Sequence, residues 1–219
     1  MNRDSLPGKE WLVERSGYCF KVTIENGNAY YVLGDVLEAV SRLPLSYMPG
    51  LEIVSGRDEN GLALYKYMGP GVLGHGSRTY CNIVTLNLGL VIHELNHAME
   101  QEARSRWDAS LLERWKEDAM EVDPTYVSRY GKLGGVAEDM AEFGKVYAVC
   151  LQRNRLEELQ QRSPSRFVIW NNTLTVVNTA LRNTVCDDFA APSNGTDSTN
   201  RAIEAPLDEY LPDTIEVAF

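Results

Sequence analysis

The stretch V-I-H-E-L-N-H-A-M-E, residues 91–100, holds two of the three histidines of this 219-residue chain, four positions apart, with a glutamate between them. On a helix, positions i and i+4 share a face, so His93 and His97 point the same way. Two neutral imidazoles one turn apart can take two corners of a zinc tetrahedron. Glu94 lies next round the helix, where it can reach a water beside the metal without ligating it. Leu88, Leu90, Val91, Ile92, Leu95, Ala98 and Met99 surround the trio, so the helix is expected to be largely buried. Burying His, Glu and His with no partner is costly, and a metal ion removes that cost. The competing reading is a buried helix in which the five-residue pattern arises by chance.

Working outward, Leu88 to Arg106 is nearly free of helix breakers, and this predicts one long helix. Trp107, Leu111, Trp115 and Ala119 continue at a spacing of four up to Pro124, which reads as core packing. After a loop with Gly131, Gly134 and Gly135, the segment V-A-E-D-M-A-E-F-G-K-V-Y-A-V-C-L carries an apolar stripe of Val136, Met140, Phe143, Tyr147 and Cys150. On the N-terminal side, T-Y-C-N-I-V-T-L predicts a strand leading into the helix. G-P-G-V-L-G-H-G-S-R, residues 69–78, is too glycine-rich for a central strand and reads as an edge or a loop. Residues 51–55 and 62–68 read as strands. Residues 10–33 read as a hairpin turning at Asn26-Gly27, and Asp35 as the cap of a short helix. Pro44 to Gly50 reads as a loop. Residues 166–186 mix strand and helix signals. Strands precede helices, which predicts an α+β fold. One domain spans 1–219, with an N-terminal sheet lobe (1–106) carrying the histidine helix and a mostly helical C-terminal lobe (107–219).

Composition bounds the partners. The net charge of -10 repels phosphate backbones, so nucleic acid is not expected. No apolar run is long enough to span a membrane. Cys19, Cys81, Cys150 and Cys186 are too far apart for a C-x-x-C metal clip and allow two disulfides in three pairings. Sequons at Asn171 and Asn194 suit a secreted protein, although the first ten residues are polar and are not a signal peptide. The segment 191–200 reads as a loop, and the acidic tail after it as a solvated surface.

A catalytic zinc needs three protein ligands and one open position. Glu100 and Ala103 stand where G-x-x-H would continue the motif, and His75 reads as a surface or cleft residue. Two carboxylates compete for the third place. Glu117 lies twenty residues beyond His97. Glu138 lies forty-one beyond, in E-D-M-A-E, where it shares a helix face with Glu142. One of that pair can bind zinc while the other holds a ligand histidine by its free ring N–H. Asp139 is counted with them among the supporting carboxylates.

H-E-L-N-H followed by Y-V-S-R-Y-G-K-L-G-G-V-A-E-D-M-A-E resembles the gluzincin metallopeptidases, most of all the lethal-factor-like group, over roughly residues 79–147. The resemblance implies a zincin-like fold, a single catalytic zinc held by His93, His97 and Glu138, and Glu142 behind a ligand histidine. It implies Glu94 as general base and Tyr130 as oxyanion donor. Tyr130 stands eight residues before Glu138, where the family commonly has seven, and Tyr126 is the second candidate. The expected activity is endopeptidase cleavage of a peptide or protein, with an extended substrate added along a sheet edge. The alternatives are a zinc hydrolase or cyclase acting on a small molecule, and an inactive, zinc-stabilised binding protein.

Overall fold

In a computed structural model, residues 6–56, 59–124 and 126–181 are described. Cys186, the Asn194 sequon, the 191–200 segment and the acidic tail lie outside them. The fold is α+β. Strands β1 (Gly8–Arg15) and β2 (Tyr18–Glu25) form an antiparallel hairpin. Helices α1 (Leu33–Ser41) and α2 (Met48–Ile53) then cross to β3 (Leu62–Leu64), which is parallel to β2. Strands β4 (Gly74–Ser77) and β5 (Tyr80–Ile83) are antiparallel to each other, and β5 runs parallel to β3. The sheet order is β1-β2-β3-β5-β4, so β4 is an edge.

Helices follow: α3 (Leu88–Arg106), α4 (Leu111–Arg114) running into a π-helical segment (Trp115–Met120), and α5 (Arg129–Gly134). Then come α6 (Val136–Gln152), α7 (Leu156–Arg162) and α8 (Pro164–Leu181). One apolar core runs from Val13 on β1 through α3 and α6 to Leu181 on α8. No helix among the described residues is long and apolar enough to cross a membrane.

The structure corrects several sequence expectations. The hairpin turns at Ser16-Gly17, not at Asn26-Gly27. Arg15 pairs with Tyr18, and both turn residues have positive φ, as a two-residue turn of the I′ kind requires. Residues 29–33 do not return as a strand, because the second partner of β2 is β3. Pro44–Gly50 and the expected strand 51–55 form a short 3-10 turn and α2. There Gly50 packs against Leu95 of α3, and Glu52 accepts the Cys19 N–H at 3.2 Å. The 62–68 strand is confined to Leu62–Leu64. Asp35 is not the first cap of α1. It sits in the first turn and accepts the Val32 N–H at 2.8 Å.

The ambiguous segment from 166 is helix α8. Its threonines bond back to carbonyls one turn earlier: Thr173 to Ile169 at 2.9 Å, Thr175 to Asn171 at 2.8 Å and Thr179 to Thr175 at 2.8 Å. The Asn171 sequon therefore lies within a helix, with Thr173 buried and Asn171 accepting the Tyr147 hydroxyl at 2.8 Å. Cys81 and Cys150 are free, buried thiols, so the two-disulfide arrangement is not formed. Trp115 is core, set edge-on to Phe143 with ring centroids 5.6 Å apart. Trp107 is 41% exposed and is not part of that core.

Candidate metal centre

Helix α3 begins where Asn87 caps it by accepting the Leu90 N–H at 3.1 Å. Both of its faces are covered at the middle. Leu95, Ala98 and Met99 join the core, and His93, Glu94, His97 and Glu100 are buried beside them. Helix α6 is held against α3 by Asn96, whose amide donates to the Ala141 carbonyl at 2.8 Å. Tyr47 donates to the Gly144 carbonyl at 2.6 Å from the other side. A Cβ on Gly144 would come within 2.4 Å of the Asn96 amide, so glycine permits this close approach.

That packing brings three donors together. The Nε2 atoms of His93 and His97 are 3.2 Å apart, and a Glu138 oxygen lies 3.0 Å from the first and 3.4 Å from the second. Ligands on a tetrahedral zinc at about 2.0–2.1 Å are roughly 3.3 Å from one another, so the triangle matches. The ligand atoms of His93, Glu94 and His97 also lie within 4.8 Å of one another, and this group could hold a metal ion.

The surrounding carboxylates favour positive charge at this trio. Burial disfavours charge on His93, but hydrogen bonds with Glu138 and Glu142 outweigh it and push the imidazole up to about 9. Hydrogen bonds from His93 and His97 hold the Glu138 carboxyl far below the usual range. The His93 Nδ1 bonds Glu142 at 2.9 Å. Burial alone would raise the Glu142 carboxyl, yet His93, Lys145 and Ser128 pull it down to about 2. Lys145 reaches it at 2.5 Å. The Glu94 carboxyl is raised by burial, partly offset by His93 and His97 and by the Gly76 N–H that donates to it.

The other expected residues divide clearly. Tyr130 on α5 stands over the site, its ring 5.8 Å from His93 and its hydroxyl bonded to Glu138. The positive φ of Gly135 breaks the chain between α5 and α6, which folds Tyr130 back over Glu138. Tyr126 instead lies against Lys132, 4.9 Å from its ring centroid. Glu117 is exposed on the π-helical segment. His75 is exposed and turned to Tyr80, with ring centroids 5.2 Å apart. Asp139, expected to support the ligands, faces the other way. It accepts from Trp115 at 3.0 Å and Arg166 at 2.8 Å, because one step along a helix turns a side chain about 100°.

Sequence reading missed Lys145 and Ser128. Lys145 had a signal, since it stands three residues after Glu142 on one helix face. Ser128 had none beyond being a helix cap, which it is: it accepts the Gly131 N–H at 2.9 Å.

Comparison with known proteins returns no match: no family, no curated protein and no solved structure is significantly similar to this chain. The chemistry of the site itself carries the functional reading.

Proposed function

We propose that this protein is a zinc-dependent endopeptidase of the gluzincin type, resembling the lethal-factor-like group. The observation that carries the proposal is the triangle of His93, His97 and Glu138, with Glu94 beside it and Tyr130 above it. His93, His97 and Glu138 would hold one zinc ion. When bound, zinc supplies a Lewis acid that acidifies water and polarises a carbonyl.

Each side chain then has one task. Glu142 accepts the Nδ1–H of His93, fixing the tautomer that leaves Nε2 free to ligate. Lys145 and Ser128 keep Glu142 ionised for that role. Glu94 takes the proton of the attacking water and passes it to the leaving amine, a task served by a carboxyl whose affinity for protons is raised. The Tyr130 hydroxyl donates to the carbonyl oxygen as negative charge develops on it. Tyr130, Leu133 and Leu73 are 58%, 74% and 59% exposed, which leaves apolar surface for a substrate near the site.

Digestion of a mixed peptide library, read by mass spectrometry, tests the proposal. The zinc-loaded protein should cut peptides, and Glu94→Gln should lower the rate about 10²–10⁴-fold while retaining zinc. Undiminished cutting by Glu94→Gln would sink the mechanism. Folded, zinc-loaded protein that cuts no peptide would favour the small-molecule alternative.

A further inference from the structure

Strand β4 reads G-H-G-S, and its two glycines lie against α3 at Glu94. A Cβ on Gly74 would stand 2.4 Å from the Glu94 Oε1 and 2.9 Å from Leu90 Cδ1. A Cβ on Gly76 would stand 2.2 Å from the Glu94 carbonyl oxygen and 2.8 Å from its Cα. Alternate residues of a strand face the same way, so His75 between them points off the helix. The result is a strand whose backbone, not its side chains, touches the helix.

The outward edge of β4 matters as well. Ser77 and Tyr80 close the hairpin with β5, and the Val84 N–H reaches the Leu73 carbonyl at 2.9 Å. By alternation in an antiparallel pair, the Gly74 and Gly76 N–H groups face away from β5. The Gly76 N–H is therefore free to donate to the Glu94 carboxylate, as it does.

The geometry points to Gly74 and Gly76 as positioning residues for the general base: Gly76 N–H orients the Glu94 carboxylate, and the bare Cα of Gly74 leaves the space it occupies. This rests on the peptidase reading for its catalytic meaning, while the steric claim stands alone. A carboxylate that must accept a proton and return it works only within hydrogen-bond reach of the reacting atoms. One methyl group at Gly74 fills that position. Glycine on an edge strand thus marks a close approach here, not a flexible loop.

The test is a double-substitution cycle read by thermal unfolding of the zinc-loaded full chain. Gly74→Ala should lower Tm by about 5 °C beside Glu94, and by less than half as much in a Glu94→Ala background, where the obstructing carboxylate is gone. Equal losses in both backgrounds overturn the steric claim. If Gly74→Ala alone does not fold, a folded Gly74→Ala/Glu94→Ala protein supports the claim and an unfolded one overturns it.

Where peptide cutting is observed, Gly74→Ala should lower kcat at least tenfold with KM and zinc content unchanged, and His75→Ala on the opposite face should leave kcat as it was. A Gly74→Ala enzyme with full kcat overturns the positioning role. If no peptide is cut at all, the peptidase reading fails and the cycle still decides the packing of Gly74 on Glu94.

Discussion

Two buried acidic clusters meet on α6, one residue apart, and they are completed differently. Asp139 faces Arg166 and Trp115, and Asp123 closes the same network by accepting the Ser165 and Arg166 N–H groups at 3.0 and 2.9 Å. Arg166, Asp123 and Asp139 are at most 5% exposed. Glu138 and Glu142 face His93, His97 and Glu94. There the three carboxylates meet Lys145 and two imidazoles, and the positive charge on His93 is a ring proton that a metal ion could replace. The first cluster has its cation built in. The second has a donor geometry that could hold a metal ion. The first network is closed by its own arginine, whereas the second is a candidate site.

Substitutions should separate the two clusters. Asp139→Ala leaves Arg166 buried beside a missing carboxylate, and should cost about 3–5 kcal/mol in chemical denaturation. The fraction that folds should still bind one zinc. If Asp139→Ala weakened zinc binding without loss of stability, the division between the clusters would be wrong.

Glu142→Ala should do the reverse. It removes the acceptor of the His93 Nδ1–H and should weaken zinc about 10–100-fold in competition with a chelating dye. Its cost to the stability of the metal-free protein should be small beside that of Asp139→Ala. Unchanged affinity would remove Glu142 from the site.

Another buried carboxyl, Glu52 on α2, sharpens the contrast, because among the described residues it has neither a cation nor a metal position beside it. Burial pushes its carboxyl up to about 7, opposed only by the Cys19 N–H. The folded value lies above the unfolded one, so the contribution of Glu52 is present below about pH 4.5 and lost as pH rises through 7. Wild type should therefore lose about 1–2 kcal/mol relative to Glu52→Gln between pH 5 and pH 8, measured by urea unfolding. A difference independent of pH would mean that Glu52 is ionised throughout.

The sequence made the site more legible than the sheet that supports it. Helix α3 was readable because the lack of helix breakers and the H-E-x-x-H spacing agree over its nineteen residues. Glu138 and Glu142 were readable because positions i and i+4 must share a face. The same periodicity cannot say which neighbour a third face meets, so Asp139 was placed with its sequence neighbours instead of with Arg166. The hairpin was misread because Asn26-Gly27 is the stronger local turn signal, while pairing across the whole of β1 and β2 selected Ser16-Gly17. Residues 51–55 look like a strand in isolation. Residues 51–53 instead belong to α2, where Gly50 packs closely on Leu95, a contact no local pattern reveals.

The central claim is the ligand set, and a crystal structure of the zinc-loaded protein with anomalous differences at the zinc edge tests it most directly. The account predicts one ion bonded to the Nε2 atoms of His93 and His97 and to a Glu138 oxygen, each at about 2.0–2.2 Å, with the fourth position free of protein atoms. No ion at this trio, or a fourth protein ligand such as Glu94 closing the site, would contradict it.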